Sequence, residues 1–258
     1  MRETLEAVAA GDLTPAQAEA ELRGYATTEA GRFDAARETR RGVPEGILAE
    51  GKTAPEVAAM ADAALESTGR ALVTRAGDAI AERVRSHLGQ EHPGATVERD
   101  ARARTVVAHA ADYESPSVDA EVVVVSGGTA DAPAAREAAV VAGEAGAGVE
   151  TVEDVGVANL TRVLDELETL RAADVIVAAA GREATLPTVV AGLVDAPVVG
   201  LPTSTGYGVG GEGRAALLGL LQSCTVLSAV NVDAGFVAGT QAALIARSIG
   251  GRRDAPER

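Results

Sequence analysis

From residue 121 onward, continuous apolar runs alternate with amphipathic segments, and this rhythm limits the available folds more than any other feature. EVVVV (121–125), DVIVAAAG (174–181), APVVGLP (196–202) and VLSAVNV (226–232) lack the polar-every-second-residue pattern of a half-exposed strand, and VETVE (149–153) is a shorter extended run. Strands without a polar face must be covered on both sides, as in parallel sheets. Between them, 132–145, 157–172, 185–195, 214–224 and 235–250 carry apolar residues at helical spacing. Alternation at these lengths predicts an α/β domain over 116–250, a parallel sheet with helices on both faces. Each strand runs into a polar or Gly-rich turn: SGGTAD, VEDVG, AGREA, LPTSTGYGVGGEG and NVDAGF. Ligands of such sheets bind at the carboxyl ends of the strands, where these turns lie.

Residues 1–115 read differently. They hold all three His and more than half of the Arg. Helices are expected over 3–9, 14–23 and 54–66, with Thr14 and Pro15 as cap and first-turn residue. Extended segments are expected over 71–75, 96–100 and 104–109, making a small mixed α/β domain. DYESPSVD (112–119) has the character of a linker, and 251–258 reads as a disordered tail.

The net charge of −15 excludes a nucleic-acid partner, since phosphate binding needs clustered Lys and Arg, and Lys52 is the sole lysine. No run approaches the roughly 20 apolar residues that span a bilayer. The N-terminus is acidic and lacks an apolar signal core, and one cysteine makes no internal disulfide. A cytoplasmic protein is expected. An acidic, Lys-poor surface suits a high-salt cytoplasm, or simply a GC-rich genome.

The turn SGGTAD brings Ser126, Gly128, Thr129 and Asp131 between a strand and a helix, where backbone amides favour an anion. PTSTGYGVGGEG (202–213) holds five glycines and four hydroxyl side chains. Thr203, Ser204, Gly206, Tyr207 and Gly208 form the part that suits wrapping a phosphate, the bland alternative being a flexible connection. Glu183 follows a buried strand directly. Asp154 and Asp233 follow two others, and three carboxylates meeting there would hold Mg²⁺ or move protons. Arg162, Arg182 and Arg214 suit phosphate or carboxylate, or plain surface. Cys224, in LLQSCTV, is either core filling or a nucleophile.

Taken together, SGGTADAPAAREA, VEDVGVANL, GREATLPTVVAGL, LPTSTGYG, LLQSC and VNVDAGF resemble the LarB family of nickel-pincer cofactor biosynthesis, whose C-terminal part is similar to PurE-type aminoimidazole ribotide (AIR) carboxylases. FDAARETRRGVPE (33–45) resembles that family's D-x-x-R-x-x-R-x-G-x-P-E segment through Asp34, Arg37, Arg40, Gly42, Pro44 and Glu45. The resemblance implies a flavodoxin-like catalytic domain. It also implies carboxylation of the pyridinium ring of nicotinic acid adenine dinucleotide by CO₂ or bicarbonate. Hydrolysis of the phosphoanhydride would then give pyridinium-3,5-biscarboxylic acid mononucleotide and AMP. Cys224 would be the nucleophile and Glu183 the base. The Gly-rich loops would hold phosphate, CO₂ or carboxylate, and Mg²⁺ would serve the anhydride step with Asp154 or Asp233, with no tightly bound organic cofactor. The family implies homo-oligomers, commonly octamers. The chain departs from the family pattern at Ala130 (a Ser there), Thr161 (a His), Ala234 (an Asn) and Val237 (a Gly).

Two other readings compete. An AIR carboxylase or mutase of purine synthesis would need a proton-shuttling His in the second half, which has none. A homologue that binds nucleotide without turnover would show tight binding and no product.

Overall fold

The computed structural model describes residues 1–253, and the chain divides into two compact units, the first Met1–Glu114 and the second beginning at Ser115.

The first unit opens with α1 (Arg2–Ala10) and α2 (Pro15–Arg23). Thr14 and Gln17 close a capping box on α2: Thr14 Oγ1 accepts from the Gln17 amide at 3.2 Å, and Gln17 Oε1 from the Thr14 amide at 2.8 Å. A hairpin follows, β1 (Ala26–Thr28) and β2 (Gly31–Phe33), then α3 (Arg37–Arg41), β3 (Ile47–Leu48), α4 (Ala54–Thr68), β4 (Arg70–Thr74), α5 (Asp78–Glu91), β5 (Thr96–Asp100) and β6 (Thr105–His109). The four-stranded sheet runs β3-β4-β6-β5, parallel at β3–β4 and antiparallel elsewhere. Val57, Ala61, Ala64 and Leu65 of α4 and Ala81, Val84 and Leu88 of α5 recur at helical spacing and are buried with Ala71, Val73, Val106 and Ala108 of the sheet.

The FDAARETRRGVPE segment forms ion pairs. Arg40 makes a two-pronged pair with Asp34 (2.9 and 2.6 Å), Arg37 reaches Glu45 at 2.9 Å, and buried Arg70 reaches Glu38 at 2.5 Å. Burial pushes the Glu45 carboxyl above its ordinary range, and the pull of Arg37 the other way is smaller. The folded chain therefore holds a proton here that the unfolded chain has released. Its ionisation costs stability as pH rises from the ordinary glutamate range through the raised value. Glu45→Gln is expected to flatten that part of the stability-versus-pH curve. Urea denaturation at stepped pH checks it, and a steeper slope in the variant would contradict it.

The second unit runs β7 (Val118–Ser126), α6 (Ala132–Glu144), β8 (Ala147–Val152), α7 (Thr161–Asp165), α8 (Leu167–Ala172), β9 (Val175–Ala180), α9 (Thr185–Ala191), β10 (Val198–Pro202), α10 (Arg214–Leu221), β11 (Ser228–Ala229) and α11 (Gly235–Arg253). All five strands are parallel in the order β8-β7-β9-β10-β11, the flavodoxin-like order 2-1-3-4-5. Successive strand residues take opposite faces. Val122, Val124, Val175, Val177, Val199 and Leu201 pack under α6 and α11, while Val123, Val125, Ile176, Ala178 and Val198 pack with Leu170, Leu186, Val190 and Leu220. The small-residue face of α11 is used within the chain. Ala238, Ala242 and Ala246 are buried with α6, and a side chain at Gly239 would sit 2.4 Å from the Ala138 carbonyl.

Several boundaries differ from the sequence expectation: α9 stops at Ala191 rather than 195, and β7 begins at Val118, inside the expected linker. The single helix over 157–172 is broken into a 3₁₀ turn at Val157–Asn159, then α7 and α8. Asn159 Oδ1 accepts from the Thr161 amide (3.3 Å) and hydroxyl (2.7 Å), starting a new helix there. β11 pairs only at Ser228–Ala229, because it is an edge strand with one neighbour. α10 stops at Leu221, leaving Cys224 in a loop. α11 continues through Arg253, so the first three residues of the expected tail are helical, and 254–258 lie outside the described residues. Among the described residues no helix is long and apolar enough to cross a membrane.

Candidate active site

In the order β8-β7-β9-β10-β11 the chain reverses direction between β7 and β9, and crevices in open α/β sheets form outside the carboxyl ends of strands at such a point. A cleft of about 390 Å³ lies there. That volume falls within the usual range of small-ligand sites, about 300–1,000 Å³. Its floor and walls come from the turns after β7, β8, β9 and β10.

Asp131 ties two of these turns together. It is only 7% exposed; its Oδ2 accepts from the Gly128 amide at 2.8 Å, and its Oδ1 from the hydroxyls of Thr203 (2.5 Å) and Thr205 (2.8 Å). The two hydroxyl oxygens lie 2.9 Å apart, so either can turn from the carboxylate to the other. The Gly128 amide, expected to face an anion, thus holds the chain's own carboxylate. The turn after β7 is an acidic hub joined to the β10 loop. The turn after β9 approaches the β10 loop so closely that a side chain at Gly181 would sit 2.5 Å from Thr205 Oγ1, which is why glycine stands there.

Glu183 lies on the turn after β9 and lines the cleft. Its flanking residues Arg182 (φ 51°) and Ala184 (φ 50°) both adopt the left-handed region, a costly arrangement that clusters at functional sites. Thr185 Oγ1 donates to Glu183 Oε1 at 2.8 Å. A side chain at Gly219 of α10 would meet the Glu183 carbonyl at 2.4 Å, so the helix supports the turn from beneath. Tyr207, 72% exposed, stacks on Arg182 with the guanidinium carbon 3.9 Å from the ring centroid, and its Oη accepts from Arg182 Nη2 at 2.5 Å. Arg182 and Tyr207 both line the cleft, so it offers a cation and an aromatic ring together with Asp131 and Glu183.

The other expected site residues fall around this core. Ser126 is buried beneath the turn, its hydroxyl without a hydrogen-bond partner among the described residues. Thr129 is exposed on the 3₁₀ turn. Ser204 is exposed, and its amide donates to Asp233 Oδ1 at 2.9 Å. Gly206 packs against the Arg182 backbone, and Gly208 turns the loop with φ 87°. Of the departures, Ala130 lines the cleft, while Ala234 is buried, Val237 exposed and Thr161 engaged with Asn159.

The expected meeting of Glu183, Asp154 and Asp233 does not occur. Asp154 follows β8 and Asp233 follows β11, the two edge strands, about 19 Å apart at ~4.8 Å per strand spacing. Asp154 pairs with Arg162 at 3.4 Å, and Asp233 is held by the β10 loop. With Asp131 engaged by three donors, the residues here do not form a protein-built Mg²⁺ cage.

Cys224 is exposed and does not line the cleft. Its loop is docked on α9, the helix that Glu183 precedes: Thr188 Oγ1 donates to Ser223 Oγ at 3.0 Å, Ser223 and Thr225 hydroxyls lie 2.8 Å apart, and Thr225 Oγ1 donates to the Thr188 carbonyl at 3.4 Å. Around the thiol, Leu221 (67% exposed) and Val226 (96%) present an apolar surface.

Residues 121–256, which hold this flavodoxin-ordered sheet and the cleft at its switch point, match the family model of AIR carboxylase, a carboxylase-type domain. Residues 25–110 match the LarB/PurE-like N-terminal domain. With both domains in this order, the chain belongs to the LarB family of PurE-related proteins. It is similar to an uncharacterized protein of Methanocaldococcus jannaschii, 34% identical over 221 residues, 84% of each chain.

Proposed function

We propose that this enzyme carboxylates the pyridinium ring of nicotinic acid adenine dinucleotide and hydrolyses its phosphoanhydride. The observation that carries the reading is Glu183, held on a strained turn inside the switch-point cleft, with the Cys224 loop docked on the helix that follows it.

The chemistry accounts for both groups. The pyridinium ring is electron-poor and does not attack CO₂. Addition of the Cys224 thiolate at ring carbon 4 forms a C–S bond and moves the ring's positive charge into a neutral, enamine-like dihydropyridine. Carbon 5 then forms a bond to CO₂, leaving an iminium at the ring nitrogen. Glu183 takes the proton from carbon 5, the C–S bond breaks, and the thiolate leaves an aromatic dicarboxylate, with no oxidant consumed. One difficult step is divided into easier ones. Arg182 and Tyr207 supply a cation and a ring face for substrate. Mg²⁺ is expected to arrive with the dinucleotide's phosphates, since the side chains here do not cage it.

Because Cys224 stands outside the cleft, within an exposed apolar surface, we assign its delivery to a second copy of the chain in a homo-oligomer. A single exposed thiol also requires a reducing compartment, consistent with a cytoplasmic location. The lack of His in the second unit disfavours the purine carboxylase reading.

Incubation with the dinucleotide, labelled bicarbonate and Mg²⁺ is expected to give labelled dicarboxylated mononucleotide and AMP, read by mass spectrometry. Dinucleotide binding without either product would make the chain a binding homologue. Labelling of aminoimidazole ribotide instead would make it a purine carboxylase.

A further inference from the structure

Helices α4 and α5 pack side by side in the first unit, and two imidazoles and two carboxylates gather where they meet. Asp62 and Glu66 stand four residues apart on α4. His92 follows the last residue of α5, its Nε2 2.7 Å from Asp62 Oδ1. His87 brings its Nε2 to 3.7 Å from the same oxygen. One ligand atom from each of Asp62, Glu66 and His92 lies within 4.8 Å of the others, and among the described residues no other three His, Cys, Asp or Glu do so.

A hydrogen bond between His92 and Asp62 would explain one contact and no more. It leaves Glu66, which sets a second carboxylate one turn from Asp62, where like charges repel. Glu66 has no hydrogen-bond or ion-pair partner among the described residues. It also leaves His87, a second imidazole aimed at an oxygen already engaged. A dication held by Asp62, Glu66 and His92 replaces that repulsion with attraction, and His87 stands beside Asp62 without joining the three. Mixed imidazole nitrogen and carboxylate oxygen suit a borderline transition ion such as Zn²⁺, whereas Mg²⁺ and Ca²⁺ favour oxygen alone. The Asp62, His87 and His92 side chains are each less than a third exposed, and a cavity of about 210 Å³ walled by Leu65, Ala95 and Ala110 opens beside His92.

We propose that Asp62, Glu66 and His92 bind a Zn²⁺-class ion that clamps the end of α5 to α4, with His87 as a neighbour of Asp62. The site is independent of the reaction assigned to the second unit.

The test uses the full chain, stripped by chelator and dialysed against Zn²⁺ in excess Mg²⁺, with bound metal counted by mass spectrometry. One Zn²⁺ per chain is expected, with Co²⁺ substitution giving the visible spectrum of a nitrogen- and oxygen-ligated tetrahedral centre. Glu66→Gln and His92→Gln are each expected to weaken binding at least ~10-fold, the size that losses behind a metal ligand already reach. His87→Gln is expected to weaken it less. Glu66 is exposed, so its variant keeps the fold, and circular dichroism checks His92→Gln. Cys224→Ser is expected to bind Zn²⁺ unchanged. Absence of stoichiometric Zn²⁺, loss of binding in Cys224→Ser, or full affinity in both Glu66→Gln and His92→Gln would overturn the proposal.

Discussion

Cys224→Ala is expected to remove carboxylation by about 10⁴-fold or more, the scale reached when a covalent nucleophile is deleted, while leaving the fold intact. The thiol is exposed, and a surface change of this kind moves stability by no more than about 0.5 kcal/mol. Glu183→Gln is expected to cost about 10²–10⁴-fold, as loss of a general base does, and to fail at a different step. The thiolate still adds, CO₂ is still captured, and the proton on carbon 5 stays. A ring adduct still bonded to Cys224 should therefore accumulate in Glu183→Gln, detected by mass spectrometry of the intact protein, and be absent from Cys224→Ala. The two variants also test who delivers the thiol. If Cys224 reaches the cleft of another copy, co-assembling the two inactive variants restores part of the activity, because some sites receive an intact Cys224 and an intact Glu183. Mixed oligomers that stay inactive would place both groups in one chain. Retained turnover in Cys224→Ala would end the covalent mechanism.

The parallel sheet was legible because its signal is local. Val122 to Val125 are apolar without alternation, which only a strand covered on both faces tolerates, and each strand ends at a turn rich in Gly or polar residues. The first unit was harder to read. α5 buries only Ala81, Val84 and Leu88 fully, with Ile80 partly buried beside them and charges between, and β3 is two residues long, paired with β4. At the site, sequence pointed to Glu183 and the β10 loop because strand ends are predictable. It could not reveal that Asp131 also takes the hydroxyls of Thr203 and Thr205, which lie some seventy residues away. Nor could it separate Asp154 from Asp233. Strand ends look alike in sequence, and only the order of the sheet puts β8 and β11 at opposite edges. The Asp62–His92 pairing likewise joins residues thirty positions apart through helix packing.

Asp131→Ala is expected to destabilise the protein by about 2–4 kcal/mol and to abolish activity with it. The substitution orphans the Gly128 amide and one of the two threonine hydroxyls, because Thr203 and Thr205 lie 2.9 Å apart and can still bond each other. An unsatisfied buried donor costs about 1–3 kcal/mol. Thr203 is 1% exposed and cannot turn to water, whereas Thr205 is partly solvated and recovers some of its loss. Against a total stability of about 5–15 kcal/mol, such a loss is large. Asp131→Asn keeps one oxygen for the two threonines and turns an amide donor toward the Gly128 amide, so it should fall between the alanine variant and the parent. Thr203→Val removes a donor and leaves the carboxylate two others, and about 1 kcal/mol is expected. Urea denaturation of the three variants orders them. Activity should follow a different order, because the hub holds the turn after β7 against the β10 loop and so sets the width of the cleft: Asp131→Asn should lose most of its turnover while retaining most of its stability. An alanine variant that loses less than about 1 kcal/mol would mean that water fills the carboxylate's place, and that the hub does not fix the cleft.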